Sequence, residues 1–438
     1  MTSTDPLHDR IVEAVDARRT QIIDLVVDLV RIPSETQPPR GDEGPVQRRI
    51  EQVLTDLGLD VDVFEPWSVP GATEHPGWWP GLEYDDRPNV VATWTGTGQG
   101  SSLILNGHAD VVPAGPREHW TRDPYGAEIA DGLIHGRGTA DQKAGIAAMI
   151  QAVAALKDLG LTPKGDVIVQ SVVNEEFGGY NGTLACCVKG YAADAAIITE
   201  PTGLHVAPAA KGGQTYRARV PGVNAHHGMA WEGVSAFDKA IIIRDALVAW
   251  EDLRADELSD VPLFSDTSKY PKPALANTIW HVEAGEPFLM ATPASAEMSF
   301  WVDVLPGEDR EQVLRRFEGH VQEFARRDAF LSEHPPTLER AHMRPFTGVA
   351  IDLDHPIVDS LRRSHEAANP GPSELAAMMG ACDQMIFNLY TDTPAVVYGP
   401  GDIRVAHSPN EFVPVDEVIA ATRTLAVTIA DFCGIDDD

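Results

Sequence analysis

Cysteine is scarce in this 438-residue chain. The four cysteines are Cys186, Cys187, Cys382 and Cys433, and none of them stands in the C-x-x-C spacing typical of cysteine-zinc sites and redox motifs. A disulfide framework and a cysteine-ligated zinc site are therefore not expected. Reduced thiols are the interpretation that this usage favours.

Long hydrophobic runs are also missing. The chain contains no stretch of 18 or more apolar residues, and its N-terminal sequence MTSTDPLHDR has neither a basic start nor an apolar segment. A membrane span or an export signal would require such features. We therefore expect no membrane partner, and a cytoplasmic location follows by default.

Basic residues are few relative to acidic ones. Lys and Arg number 34 against 66 Asp and Glu, which gives a formal net charge of -32. A nucleic-acid-binding protein needs clustered positive charge to meet the phosphates, so nucleic acid is not an expected partner. The composition is otherwise that of a soluble globular protein, and the length suggests two or three domains.

Helical and strand-like segments alternate through the first half of the chain. Apolar residues recur at helical spacing from Ile11 to Ile32 and stop before Pro33, which predicts an amphipathic helix. The apolar runs NVVATW, SLILNG, DVIVQSVV and DAAIIT read as strands, with the helical AGIAAMIQAVAALKDLG among them. This alternation predicts an α/β fold, with a mainly parallel sheet covered by helices on both faces.

The pattern changes near Lys211. From there to about residue 342 the order is strand, helix, two strands, helix and strand, as in a compact α+β unit. The α/β pattern resumes near Met343. The predicted organisation is one α/β domain formed by residues 1–210 and 343–438, with an α+β domain inserted at 211–342.

The stretch LILNGHADVVPAG ends an apolar strand with His108 and Asp110. Residues two apart in a strand point to the same face, so the imidazole and the carboxylate are expected side by side. An isolated pair of this kind is most simply a histidine satisfied at a strand end. A metal ligand oriented by a supporting carboxylate is the alternative.

Further candidate ligands follow other predicted strands. They are Asp141 after a glycine-rich turn, Glu175 and Glu176 after VIVQSVV, Glu200 after DAAII, and His407 after PAVVY. Active sites of α/β proteins lie at the carboxyl ends of strands. Imidazole and carboxylate groups collected there suit zinc, so their joint placement favours a metal site.

The ordered motifs GHADVVP, GRGTADQKAG, NEEFGG, TEPTG, NAHHG and GPG…AHSPNEF resemble a known superfamily. It is the zinc amidohydrolase and exopeptidase superfamily of acetylornithine deacetylase, succinyl-diaminopimelate desuccinylase, aminoacylase and glutamate carboxypeptidase. The resemblance extends from about Ile22 to Phe432. It implies a catalytic domain with two zinc ions and an inserted lid domain through which the chains form a homodimer.

Carried over to matching positions, the resemblance implies a ligand set. His108 and Glu200 would bind one Zn²⁺ ion, Glu176 and His407 would bind the other, and Asp141 would bridge them. Co²⁺ or Mn²⁺ are substitutes that such a site would accept.

The resemblance also implies three supporting roles. Asp110 would orient His108, and Glu175 would act as the general base. His226 in the NAHHG motif would stabilise the oxyanion from the lid. Because His227 is adjacent, a shift of this assignment by one residue stays open.

Two positions depart from the pattern of relatives. Gln142 follows the bridging aspartate where relatives often carry Asp, Asn or Met, and the cis peptide of the family is still expected there. Asp303 and Val304 stand where many relatives carry an arginine that holds a substrate carboxylate. Since an aspartate would repel a carboxylate, recognition of an ordinary N-acyl amino acid through this contact is not expected.

The expected activity is hydrolysis of an amide bond in a small molecule. The substrate would be an N-acyl amine or amino acid with a formyl, acetyl, succinyl or bulkier acyl group. An exopeptidase, or an inactive relative that only binds a small amide, are the alternatives; the presence of Glu175 and Asp141 argues against the inactive one. The Trp-rich segment 66–82 is either surface packing or an aromatic wall of the substrate site.

Overall fold

The computed structural model describes residues 5–178, 180–266, 269–286, 288–341 and 345–436. Gly179 of the NEEFGG motif and the predicted boundary at 342 and 343 lie outside these residues. The chain divides into two compact units, one combining Met1–Ala210 with Ala350–Asp438 and the other formed by Lys211–Val349. We call them the discontinuous unit and the inserted unit.

Among the described residues the α-helices are α1 (Pro6–Ala17), α2 (Arg19–Val30), α3 (Gly44–Asp56), α4 (Ala144–Asp158), α5 (Asn181–Lys189), α6 (Ala236–Glu257), α7 (Arg310–Ala325), α8 (Pro356–Ala368), α9 (Gln384–Tyr390) and α10 (Val415–Cys433). The strands are β1 (Thr36–Gln37), β2 (Arg40–Gly41), β3 (Asp60–Phe64), β4 (Asn89–Trp94), β5 (Leu103–His108), β6 (Glu128–Ala130), β7 (Leu133–His135), β8 (Thr162–Pro163), β9 (Val167–Val172), β10 (Ala195–Ile198), β11 (Val206–Ala210), β12 (Gly212–Pro221), β13 (Thr278–Ala284), β14 (Ser295–Val304), β15 (Thr337–Arg340), β16 (Val349–Ala350), β17 (Leu375–Met378), β18 (Ala395–Val397), β19 (Phe412–Pro414) and β20 (Ile435–Asp436).

A mixed sheet with a parallel centre organises the discontinuous unit. Its strands run in the order β11-β18-β10-β5-β9-β4-β3, with β17 beside β11. Strands β18, β10, β5 and β9 are mutually parallel, whereas β4 and β3 join antiparallel at one edge. The predicted α/β class is confirmed. The parallel strands β5, β9 and β10 are buried along their whole lengths, as strands covered on both faces must be.

Helix α4 is deeply buried, and it follows directly on the turn that carries Asp141. Its residues from Ala144 to Leu156 are all buried, because its Ala-rich sequence is apolar around the whole circumference. It packs against α2 and α10. The turn Thr139–Lys143, which leads into α4 and carries Asp141, is thereby anchored to the core.

The inserted unit has the predicted α+β order. Strands β13, β14, β12 and β15 form an antiparallel sheet in that order, and α6 and α7 pack together beside it. A separate hydrophobic core fills this unit and includes Tyr216, Trp250, Phe300 and Phe317.

The N-terminal segment differs from the single helix that was predicted. The chain breaks at Arg18 into α1 and α2, and the Nε atom of Arg18 donates to Oε1 of Gln151 at 2.9 Å. Helix α1 packs against α10 and α4, and α2 packs against α4. Both helices share one hydrophobic period, so the sequence pattern does not reveal the break.

In the part of the chain that the structure describes, no helix combines the length and apolar character needed to cross a bilayer. The four cysteines are free thiols, as their spacing predicts.

Candidate metal centre

Four neighbouring parallel strands bring candidate ligands to one edge of the sheet. His108 is the last residue of β5, Glu175 and Glu176 follow β9, Glu200 follows β10, and His407 lies in the loop after β18. Adjacent parallel strands end at the same edge, so residues far apart in the sequence converge there. The structure thus brings together the candidate metal ligands that the motifs of the discontinuous unit singled out.

Asp141 lies between two histidines. Its Oδ1 atom is 3.0 Å from Nε2 of His108, and its Oδ2 atom is 3.4 Å from Nε2 of His407. The peptide between Asp141 and Gln142 is cis, as the resemblance implies. The carboxylate therefore presents one oxygen to each side, which is the arrangement that a ligand shared by two cations requires.

One group of potential ligands surrounds His108. Its Nε2 atom is 3.5 Å from Oε1 of Glu200 and 4.0 Å from Oε2 of Glu175. The ligand atoms of these three buried residues all lie within 4.8 Å of one another. An imidazole nitrogen and carboxylate oxygens at this spacing fit a divalent cation such as zinc.

A second group lies on the other side of Asp141. The Nε2 atom of His407 is 2.7 Å from Oε2 of Glu176 and close to Asp141, and His407 is the exposed member of the set. The ligand atoms of His108, Asp141 and Glu176 also lie within 4.8 Å of one another. The two groups share donors, as neighbouring cation sites would.

Carboxylates outnumber positive charges in this buried site. Burial, followed by the charge of Asp141, raises the pKa of Glu200 to about 8, and burial raises the pKa of Glu175 well above its usual range. The charge of Glu176 raises the pKa of His407 to about 11. Burial lowers the pKa of His108, but Glu200 and other carboxylates outweigh it and raise that pKa well above its ordinary value. This excess of acidic donors fits divalent cations.

Asp110 touches His108 through a different atom from the one expected. The Nδ1–H of His108 donates to the main-chain carbonyl of Asp110 at 2.9 Å, while the nearest carboxylate oxygen of Asp110 is 3.6 Å away. This bond leaves the Nε2 lone pair directed at the ligand group. The carboxylate of Asp110 instead accepts from the main-chain N–H of Glu175 at 3.0 Å and of Glu176 at 3.2 Å.

Tyr180 is a neighbour of Glu175 that the sequence analysis missed. Burial, followed by the charge of Glu175, raises the pKa of its hydroxyl well above the usual range, and its backbone has a φ of 47°, which is unusual for a residue with a side chain. Just before Glu175, Asn174 has a φ of 64° and accepts from the hydroxyl of Tyr84 at 2.7 Å. Apart from the adjacent motif, no sequence signal marks these residues.

Arg137 and Glu411 were also missed, although both lie inside the motifs. Glu411 is fully buried and forms an ion pair with Arg137. One of its oxygens accepts from the main-chain N–H of Ala140 and of Asp141. The sequence did offer one signal for Arg137. It is a lone arginine between two glycines, in the same motif as the candidate ligand Asp141.

The two histidines of NAHHG lie in the inserted unit, and their hydrogen bonds assign different tautomers. The Nδ1 atom of His226 accepts from the main-chain N–H of Gly228 at 3.2 Å, so the neutral ring carries its proton on Nε2. The Nδ1 atom of His227 faces the carbonyl of Met290 at 3.1 Å and therefore carries the proton itself. The Nε2–H of His226 thus has no hydrogen-bond partner among the described residues.

Asp303 is paired with a buried lysine, whereas its charge was expected to repel a substrate carboxylate. The aspartate residue is 4% exposed. It accepts hydrogen bonds from Lys211 Nζ, the Trp301 indole Nε1–H and the Leu275 main-chain N–H. Its charge is therefore matched within the inserted unit.

The Trp-rich segment is hydrogen-bonded to the first residue of helix α5. The main-chain N–H of Trp79 donates to Asn181 Oδ1 at 2.9 Å, and Asn181 Nδ2 donates back to the Trp79 carbonyl at 2.8 Å. The Trp78 and Tyr84 rings lie 5.7 Å apart, whereas Trp67 is 51% exposed. These hydrogen bonds and the ring contact hold Trp79 and Trp78 in place.

Comparison with known families gives the class of protein. The model of Peptidase family M20/M25/M40 matches residues 104–431. This match covers well over half of the chain and includes every ligand candidate named above. The chain belongs to Peptidase family M20/M25/M40, and the expectation of an amide-bond hydrolase is confirmed at that level.

Individual relatives agree with this placement. The chain is 28% identical over 442 residues to the N-formyl-4-amino-5-aminomethyl-2-methylpyrimidine deformylase of Bacillus subtilis (strain 168), covering 96% of both chains. A dipeptidase of Saccharomyces cerevisiae has the same fold, with a TM-score of 0.73 at 16% identity over 97% of this chain and 98% of that one. A dinuclear metal-binding peptidase of the M20 family from Bacillus subtilis gives a TM-score of 0.58 at 16% identity, covering 95% of this chain and 99% of that one.

Proposed function

We propose that this protein hydrolyses the amide bond of a small N-acyl amine with the help of two Zn²⁺ ions, and that N-formyl amines are its preferred substrates. The observation that carries the proposal is the placement of Asp141, with one oxygen facing His108 and the other facing His407. The formyl group is favoured because the Bacillus subtilis deformylase aligns over 96% of both chains.

The donor set divides between two cations. His108 and Glu200 would hold one, Glu176 and His407 the other, and Asp141 would touch both. Bound there, zinc supplies Lewis acidity that lowers the pKa of water and polarises a carbonyl group. Co²⁺ and Mn²⁺ accept the same nitrogen and oxygen donors.

Glu175 is the proposed general base. Its carboxylate lies beside the ligand group, and the Asp110 bond to its main-chain N–H restricts its position. In the reaction it takes a proton from water as the water oxygen bonds to the acyl carbon. It then delivers that proton to the amine nitrogen as the C–N bond breaks, so that an acid and a free amine leave.

His226 is the proposed oxyanion donor. The bond from Gly228 to Nδ1 keeps the proton on Nε2 in the neutral ring, so this atom can donate to the carbonyl oxygen as negative charge develops there. His227 lacks this arrangement because its Nδ1 proton is directed at a main-chain carbonyl.

We also propose that the inserted unit is a lid through which two chains dimerise. Strand β13 is the edge of its sheet and exposes Trp280 and Val282, which are 57% and 48% exposed. Phe237 and Ile241, one turn apart on α6, are also exposed. Apolar side chains beside an unpaired strand edge fit a protein partner. Sedimentation of Trp280→Lys with Val282→Lys tests this, because a monomeric double variant and a dimeric parent are expected.

Turnover of a matched substrate panel tests the proposed activity. The zinc-loaded protein is assayed with N-formyl-4-amino-5-aminomethyl-2-methylpyrimidine, its acetyl and succinyl counterparts, and dipeptides, with products identified by mass spectrometry. We expect formate and free amine, with the highest kcat/KM for the formyl compound. Cleavage of dipeptides alone would identify an exopeptidase. Binding of zinc and substrate without turnover would identify an inactive relative.

A further inference from the structure

Glu411 reaches the turn of Asp141 from the position just before strand β19. It is fully buried and directly precedes β19, which pairs antiparallel with β7. Its main-chain carbonyl accepts from the N–H of Gly136 at 2.9 Å. The backbone of Glu411 is therefore fixed against the segment that leads into the turn of Asp141.

The two oxygens of Glu411 have separate partners. Oε1 accepts from the main-chain N–H of Ala140 at 2.9 Å and of Asp141 at 3.2 Å. Oε2 forms an ion pair with the Arg137 guanidinium, which is itself buried and lies 5.3 Å from the ring centroid of Trp120. Such charge-assisted hydrogen bonds are stronger and more directional than bonds between neutral groups.

This arrangement joins parts of the chain that are far apart in sequence. Asp141 and Arg137 come from the first part of the discontinuous unit, whereas Glu411 and His407 come from the second, four residues apart. The carboxylate of Glu411 holds the backbone of Asp141 in place, and the short connection from Glu411 back to His407 places that imidazole opposite the Asp141 oxygen at 3.4 Å.

We propose that Glu411, held by Arg137, is a positioning residue that sets Asp141 against His407 and thereby determines the affinity of the cation that Asp141, Glu176 and His407 would share. The inference rests on the proposed two-cation function. Glu411 contacts neither substrate nor cation; it acts through the main chain of Asp141. The acceptor oxygen facing the two N–H groups performs this role, and the ion pair keeps that oxygen in place.

Two double variants separate the acceptor from the charge. Arg137→Met with Glu411→Gln removes both charges and keeps an amide oxygen that can accept from Ala140 and Asp141. Arg137→Met with Glu411→Leu removes both charges and the acceptor. Neither variant leaves a buried arginine or glutamate without its partner, which is the usual reason that single substitutions of a buried ion pair fail to fold.

Isothermal titration of the cation-free proteins with Zn²⁺, and separately with Co²⁺, measures the two affinities. We expect the glutamine variant to bind both cations with affinities close to those of the parent. The leucine variant should lose about 10- to 100-fold in affinity for the cation shared with Glu176 and His407, and less for the other cation that Asp141 would touch, with a similar loss in kcat and little change in KM, as disturbed support of a ligand produces.

Equal behaviour of the two double variants overturns the proposal, whether both keep the two cations or both lose them. If circular dichroism shows that the leucine variant does not fold, the glutamine variant decides, since weakened binding of either cation there refutes the acceptor role.

The buried pair of Glu43 and Arg87 serves as control. Glu43→Leu with Arg87→Met should lower the melting temperature without selective loss of one cation. A parent protein that binds no Zn²⁺ would refute the proposed function itself.

Discussion

The rings of His226 and His227 lie with their centroids 4.2 Å apart, yet their Nδ1 atoms take opposite parts in hydrogen bonds. Nδ1 of His226 accepts from the N–H of Gly228, and Nδ1–H of His227 donates to the Met290 carbonyl. Two adjacent histidines are therefore not equivalent donors. Only His226 keeps an Nε2–H available in the neutral ring.

His226→Ala is expected to lower kcat by about 10² to 10³ and to leave KM close to that of the parent. The reason is that a donor to developing negative charge contributes in the transition state and little in the ground state. Steady-state kinetics with the N-formyl substrate and metal analysis of the purified variant provide the measurement.

His227→Ala is the matched control for this prediction, and it should retain most of the turnover. A reversal, in which His227→Ala is the severe variant, would show that the assignment in NAHHG is off by one residue. Normal turnover in both variants would remove the inserted unit from the chemistry.

Glu175→Gln is expected to keep both cations and to lose about 10² to 10⁴ in kcat, because an amide cannot accept the proton from water. Metal content and single-turnover rates measure the two effects separately. Glu74→Gln, which changes an exposed residue of the same unit, is the control. Because Glu175 also lies within reach of His108 and Glu200, loss of one cation in the variant would instead identify it as a ligand.

Asp303→Asn should destabilise the inserted unit without changing discrimination by charge. Breaking a buried pair such as that of Asp303 with Lys211 costs about 3 to 5 kcal/mol. Differential scanning calorimetry checks the stability, with exposed Asp260→Asn as the control. The ratio of kcat/KM values for neutral and carboxylate-bearing N-formyl substrates should stay constant. A selective gain for the carboxylate-bearing substrate would restore a direct repulsive role for Asp303.

The stabilisation that a cation gives should grow as the pH rises from about 5 to about 7. Burial and the charge of Asp141 raise the pKa of Glu200 from 4.5 to about 8. In this window the folded cation-free protein holds protons that the unfolded chain has released. Its free energy of unfolding therefore falls with rising pH, whereas a bound cation takes the place of the proton on Glu200.

Melting temperatures of cation-loaded and cation-free protein, measured across this window by scanning fluorimetry, test the prediction. The difference between the two forms should widen with pH. In Glu200→Gln, which has no proton to release at this position, the widening should be smaller. A difference that is constant or shrinks with pH would contradict the assignment of Glu200 as a ligand.

Much of the fold follows from local patterns in the sequence. The predicted strands NVVATW and SLILNG correspond to β4 and β5, and the segment AGIAAMIQAVAALKDLG, predicted as helical, contains α4. These segments have strong periods and clear terminators. The break at Arg18 was not predicted, because it depends on partners in α4 and α10 that lie more than a hundred residues away.

The sequence by itself determined which residue types stand at the ends of the parallel strands, and hence the chemistry of the site. His108 and Glu200 could be named as ligand candidates because short apolar strands end at or just before them, and His407 because it lies in the motif that follows the strand PAVVY. Strand periodicity and the topology of parallel sheets are local or general rules, so a sequence can express them directly.

Only the tertiary structure decided how those residues are held. The ion pair of Arg137 with Glu411 joins segments that no sequence period relates. Within one loop, the fold directs Nδ1 of His108 to the main-chain carbonyl of Asp110 rather than to its carboxylate. Such bonds depend on distances between atoms that the folded core sets. The sequence therefore indicates the donors of the site, while the packing of the core fixes their orientation.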